Sequence, residues 1–176
     1  MEKVIIKIYF GYSWEGKGLE KNSYKAFNEI TTNAITNILN SKTFIKDSFV
    51  ITSRRLRGSA GGYLLDKIFK MIKEADILIY DITSNNPNVM FELGIAYAIQ
   101  KESNPNLRLF LIREKNMKEK DLNDLNGYFI SEYSIKNSKV RFEDQGSLLQ
   151  SIISTLKSTL LENNLLNPKI SELSID

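Results

Sequence analysis

Apolar and polar positions alternate in blocks along the chain. Val4–Phe10 is an apolar, β-branched run and predicts a buried strand. The glycines of Gly11–Gly18 predict a loop after it. From Asn22 to Asn40, Phe27, Ile30, Ala34, Ile35 and Ile38 recur with a helical period. Ser48–Ser53 predicts a second strand, and Arg54–Gly62 a basic, glycine-rich loop. Leu64, Leu65, Ile68, Phe69 and Ile72 mark an amphipathic helix over Tyr63–Glu74. Asp76–Ile82 predicts a third strand, apolar until Asp81. The turn Thr83–Asn88 carries Pro87, suited to the first position of a helix, and Val89–Gln100 predicts that helix. Leu107–Ile112 and Tyr128–Ile135 predict strands four and five, separated by a charged excursion over Arg113–Asn126. Gly146–Leu161 predicts a last helix with Leu148, Leu149, Ile152, Ile153, Leu156 and Leu160 on one stripe, and 163–176 reads as a loose tail.

Strands that alternate with helices and read as near-continuous apolar runs predict a mainly parallel sheet covered on both faces. The expected fold is α/β, a single doubly wound domain over residues 1–162. It has five strands in the order 2-1-3-4-5, a flavodoxin- or Rossmann-like three-layer sandwich. A length of 176 residues fits one domain. Charges at positions 2, 3 and 7 break the N-terminal apolar run, so no signal peptide is expected. No window reaches the ~18 apolar residues of a membrane span. A cytoplasmic protein with no membrane partner is the expectation.

Composition then removes whole classes of chemistry. The chain has no cysteine and no histidine. Thiolate nucleophiles, Ser-His-Asp triads and Cys or His metal sites are excluded. No metal and no cofactor is expected. The net charge of +3 is unevenly placed, because residues 53–74 carry six basic side chains against Asp66 and Glu74. Arg54, Arg55 and Arg57 lead that segment, which is either a solvated face or an attraction for phosphate. A nucleic-acid partner would call for a broader basic surface and is not expected.

In open α/β sheets, ligands sit beyond the carboxyl ends of the strands, near the switch in strand order. The loops expected there are 11–18, 54–62 and 83–88. Glu92 is the sharpest feature, the only charged residue in VMFELGIAYAI, with Ile95, Ala96 and Ile99 on its own face. A carboxylate on an apolar stripe is expensive unless paired or functional. It can act as a nucleophile or stabilise a cationic sugar carbon; otherwise it is a first-turn acid that suits the helix dipole. Asp81 reads as a turn cap, or as a group that binds sugar hydroxyls or assists protonation of a leaving base. Asn86 and Asn88 are turn formers or hydrogen-bond partners of a substrate. Gly58, Gly61 and Gly62 precede a helix and could expose backbone N–H groups to phosphate. Tyr9 and Trp14 are packing residues or ligand contacts.

Ile8-Tyr9-Phe10-Gly11, with Trp14 beyond, resembles the first-strand motif of nucleoside 2-deoxyribosyltransferases. Glu92-Leu93-Gly94-Ile95-Ala96 resembles that family's ELGxA helix, whose glutamate attacks the anomeric carbon. Residues 75–99 are also similar to Toll/interleukin-1-receptor-like (TIR-like) domains of bacterial antiphage defence, which cleave NAD with a glutamate in the comparable helix. The resemblance implies an enzyme of a defence or signalling setting that breaks an N-glycosidic bond. It implies catalytic roles for Glu92 and Asp81 and sugar or base contacts from Tyr9, Phe10, Gly11, Trp14, Asn86 and Asn88. Arg54, Arg55 and Arg57 would meet phosphates of a substrate such as NAD. It also implies a homo-oligomer. The transferases carry a second acid before strand three where this chain has Ile68, with Asp66 about 200° around the helix. That departure favours hydrolysis over transfer. Deoxyribosyl transfer and non-catalytic nucleotide sensing are the alternatives.

Overall fold

The computed structural model describes residues 3–13, 19–56, 64–115, 125, 129–137, 139–143 and 145–165. Its elements run β1 (Val4–Gly11), α1 (Leu19–Asn40), β2 (Phe49–Arg55), α2 (Leu64–Lys73), β3 (Ile77–Asp81), α3 (Pro87–Glu102), β4 (Arg108–Glu114), β5 (Ile130–Lys136), β6 (Lys139–Phe142) and α4 (Gln145–Glu162). A mostly parallel sheet orders them β2-β1-β3-β4-β5-β6. The chain moves from β1 to β2 on one side and returns to place β3 on the other. The strand order therefore reverses between β1 and β3.

Alternation along β1 divides the core. Ile6, Ile8 and Phe10 face Phe27 and Ile30 of α1 and Ile152 and Leu156 of α4. Phe10 stacks on Phe27 with ring centroids 4.5 Å apart and on Tyr12 at 5.0 Å. Tyr9 points the other way, with Leu78 and Tyr80 of β3, towards Ile68 and Ile72 of α2 and Leu93 and Ala96 of α3. Every residue of β3 is buried, as expected of a strand covered on both faces. No helix among the described residues is long and apolar enough to cross a membrane.

The five-strand expectation is corrected to six. β6 pairs antiparallel with β5, and Lys136 opposes Lys139 across a tight turn. The strand was hidden because only Val140 and Phe142 are buried in it, within a charged segment. β2 runs through Arg55, so Arg54 and Arg55 lie on a strand rather than in the expected loop. The tail is not loose at its start: the Leu165 N–H donates to Leu160 O, and the Ile45 N–H to Leu165 O, both at 3.1 Å. Most of the charged excursion after β4 lies outside the described residues.

Asn137, at the β5–β6 turn, has φ 49°, a left-handed conformation in which a β-branched side chain is strained. Asn137→Val should lower stability by about 1–2 kcal/mol, and Asn137→Gly should leave it level. Urea unfolding of both variants checks this, and equal midpoints would contradict the turn assignment.

Candidate functional site

The reversal of strand order brings the carboxyl ends of β1 and β3 side by side, with Gly11 in register with Tyr80, at the position where ligands of open α/β sheets bind. Asn86 starts α3 there. Its side-chain oxygen accepts from the Asn88 N–H at 2.9 Å and the Val89 N–H at 3.4 Å, and Pro87 follows in the first turn. Two of the helix's otherwise orphaned N–H groups are satisfied this way. The Asn86 side-chain amide also donates to Ser13 Oγ at 3.1 Å, tying the turn after β3 to the segment after β1. Asn85 sits at φ 48°, which lets the chain double back before the cap.

One and a half turns into α3, Glu92 is half-buried. Its neighbours are Gly11 and Tyr80. A Cβ on Gly11 would lie 2.3 Å from Cδ1 and Cε1 of Tyr80 and 3.4 Å from Oε2 of Glu92. Only glycine admits both groups at the end of β1. The Tyr80 hydroxyl donates to the Glu92 carbonyl oxygen at 3.4 Å, fixing the ring beneath the helix. Burial pushes the Glu92 carboxyl up from 4.5 to about 7. Burial, and then the nearby Glu92 charge, hold the Tyr80 hydroxyl well above its ordinary value, so it stays protonated.

Asp81 is buried on the opposite face. It shares the face of Ile77 and Ile79, which point to α1, whereas Tyr80 faces α3. Its Oδ2 accepts from the Tyr133 hydroxyl at 2.6 Å, and its Oδ1 from the Thr83 N–H at 2.8 Å and the Thr83 hydroxyl. Ser23 of α1 bonds it too. Burial pushes the Asp81 carboxyl up, and these hydrogen bonds pull it back. The expected catalytic pair of Glu92 and Asp81 is therefore not assembled, because the sheet stands between them.

The other expected residues divide in the same way. Gly11 lies beside Glu92, and Asn88 shares Glu92's helix face one turn earlier. Tyr9 is on Glu92's side of the sheet but is 92% covered at 8% exposure, and Phe10 is fully buried on the other side. Arg54 pairs in register with Tyr9 and is exposed on the α2–α3 side. Arg55 pairs with Phe10 on the α1 side, its guanidinium 3.5 Å from the Tyr24 ring centroid and 5.5 Å from that of Tyr12. Arg54 and Arg55 thus point to opposite faces of the sheet. Trp14, Arg57, Gly58, Gly61 and Gly62 lie outside the described residues. Ser13 and Tyr80 were missed. Tyr80 could have been found, as the one side chain in the Ile77–Tyr80 run with a polar tip. Among the described residues, no cluster of three or more acidic side chains could hold a metal ion.

No known protein-family model matches this chain, and no characterised protein matches it either.

The Glu92 carboxyl has a consequence for stability. A group whose folded pKa is raised stabilises the fold below its unfolded pKa, and that contribution is lost as pH rises through the folded value. The window here runs from 4.5 to about 7. At about 1.4 kcal/mol per unit, discounted for partial exposure, the loss should be about 1–2 kcal/mol. Glu92→Gln should match the parent near pH 4 and exceed it by that amount above pH 7 (limits set by the same window). Thermal melts across this range test it, and a stability gap independent of pH would contradict the assignment.

Proposed function

We propose that the protein cleaves the N-glycosidic bond of a nucleotide or nucleoside, with Glu92 as the group that meets the anomeric carbon. The observation that carries this reading is the half-buried Glu92 carboxyl beside Gly11 at the carboxyl ends of β1 and β3, raised to about 7 by burial. A carboxylate stripped of part of its water is a better nucleophile than a solvated one. It attacks C1′ as the bond to the base nitrogen breaks and the electron pair leaves with the base. Water then hydrolyses the glycosyl ester and restores the carboxylate.

The leaving group narrows the substrate. A neutral purine or pyrimidine leaves most readily with a proton from a positioned acid. Ile68 is buried and apolar where the transferases carry an acid, and Asp81 lies across the sheet. Nicotinamide leaving from NAD is already cationic in the bound substrate and needs no such proton. That balance supports an NAD-type glycohydrolase over a deoxyribosyltransferase. Arg54, exposed on Glu92's side of the sheet, is the arginine that suits a phosphate.

Chromatographic analysis of products from NAD, NADP and deoxynucleosides tests the reading. Nicotinamide should be released from NAD, and Glu92→Gln should lower the rate by ~10³-fold or more. Since the nucleophile must be ionised, kcat/KM should rise with pH around a midpoint near 7. A rate that falls through that midpoint would assign Glu92 as an acid instead. Deoxyadenosine formed from deoxyinosine and adenine would restore the transferase reading, and binding without turnover the sensor reading.

Arg54→Ala should raise KM for NAD about tenfold with kcat unchanged, as loss of one charged contact does. Arg55→Ala should instead lower stability, because its guanidinium rests on two rings of the α1 side. Steady-state kinetics and melts of the two variants separate these roles.

A further inference from the structure

Tyr80 carries a polar tip into a layer that packing alone would fill with carbon. Ile77, Leu78 and Ile79 beside it on β3 are aliphatic. A leucine or phenylalanine would occupy the same space with no polar atom to satisfy. A buried phenol is costly unless its hydroxyl finds a partner. This side chain is fully buried, and its partner is the carbonyl oxygen of Glu92 itself, at 3.4 Å. A helix carbonyl has a second lone pair, so it accepts this bond without losing its place in the helix.

The space at Gly11 shows how ring and carboxyl meet. The point where a Gly11 Cβ would stand lies 2.3 Å from both Cδ1 and Cε1 of Tyr80, and the next nearest atom is Oε2 of Glu92 at 3.4 Å. A point above the ring face would come closer to Cγ and Cζ than that. The ring therefore turns its edge to the gap, and the carboxylate borders the same gap. A ring edge carries partial positive charge, which suits an anion. Glycine is needed here for room, since its backbone is not left-handed.

We propose that Tyr80 is the positioning residue of Glu92: its ring closes the inner side of the carboxyl against water, and its hydroxyl pins the helix turn that carries it. A group already held near its attacking geometry reacts faster than one that must be gathered from many rotamers. Water kept off the inner side strengthens the nucleophile and leaves the outer side to the substrate. The rate consequence rests on the proposed reaction, whereas the effect on the carboxyl does not.

Other ionisable side chains share this face of the sheet. By strand parity they are Tyr9 of β1, Arg54 of β2, and Arg113 of β4 with Glu132 of β5, which bond each other at 2.8 Å. Lys7 of β1 is paired with Glu74 at 2.8 Å. Asp66, Lys67, Lys70 and Lys73 of α2 are exposed. Burial is the cause that raises the Glu92 carboxyl, so the side chain that buries it is the one to change.

Carbon-13 NMR of the full chain, labelled at glutamate Cδ, titrates the Glu92 carboxyl directly, with or without turnover. The parent's midpoint should lie at about 7. Tyr80→Leu frees about one water's volume, ~30 Å³, beside polar groups that can hold the water. It should lower the midpoint by about one unit, and Tyr80→Ala by more. Tyr80→Phe keeps the ring, so its midpoint should stay with the parent's while kcat for glycosidic cleavage falls about fivefold with KM level. Ile99→Ala, buried in the same cluster about two turns along α3, loses packing without opening this gap and should leave the midpoint in place. Midpoints unmoved in Tyr80→Leu, or moved equally in Ile99→Ala, would overturn the proposal. A parent that cleaves no glycosidic bond would remove the proposed function and leave the titration to decide the role of Tyr80 alone.

Discussion

The buried Asp81 carboxyl is the constraint on which the site end of this molecule depends. It stands at the last position of β3 and accepts from Tyr133 of β5, from Thr83 in the following turn and from Ser23 of α1. Thr83 passes the constraint on, because its hydroxyl oxygen accepts the Glu114 N–H of β4 at 2.8 Å. One carboxyl thus gathers the carboxyl ends of β3, β4 and β5 with the helix above them. Charged hydrogen bonds in a dry interior are strong, and each donor left without its partner is costly. The turn held this way leads directly into the Asn86 cap, which sets where α3 begins. Asp81 therefore positions Glu92 without touching the space in front of it.

The sheet also divides labour between its faces. The α1–α4 side holds the stacked Phe10, Phe27 and Tyr12, Arg55 on Tyr24, and the Asp81 network. The α2–α3 side holds Gly11, Tyr80 and Glu92. Because successive side chains in a strand point to opposite faces, Phe10 and Gly11 serve different halves of the molecule although they are adjacent.

That parity explains how much was legible in the sequence. The apolar runs at Val4–Phe10 and Ile77–Tyr80 and the periods of the helices located every large element, whereas the strand order came from analogy with flavodoxin-like sheets. Burial of large apolar stripes dominates there, and its period is visible in one dimension. β6 was missed because two buried residues make no period. Glu92 was found because a charge in an apolar helix is conspicuous. For Asp81 and Arg55 the sequence indicates the right end of the strand and leaves the face open. Which face a strand residue takes depends on register, and register is fixed by pairing with distant strands. The partnership of Asn86 with Ser13, 73 positions apart, has no local signal at all.

Among the described residues the sheet does not close on itself, and β2 and β6 are its two edges. An unpaired strand edge is a template for fibrous association. Both edges here bear cations: Arg54 and Arg55 on β2, and Lys139 and Arg141 on β6. Two molecules meeting edge to edge would set like charges against each other. That repulsion acts through water and is screened as salt is added. Colloidal behaviour is therefore tied to ionic strength through these four side chains, and concentrated solutions should stay clear longest in dilute buffer.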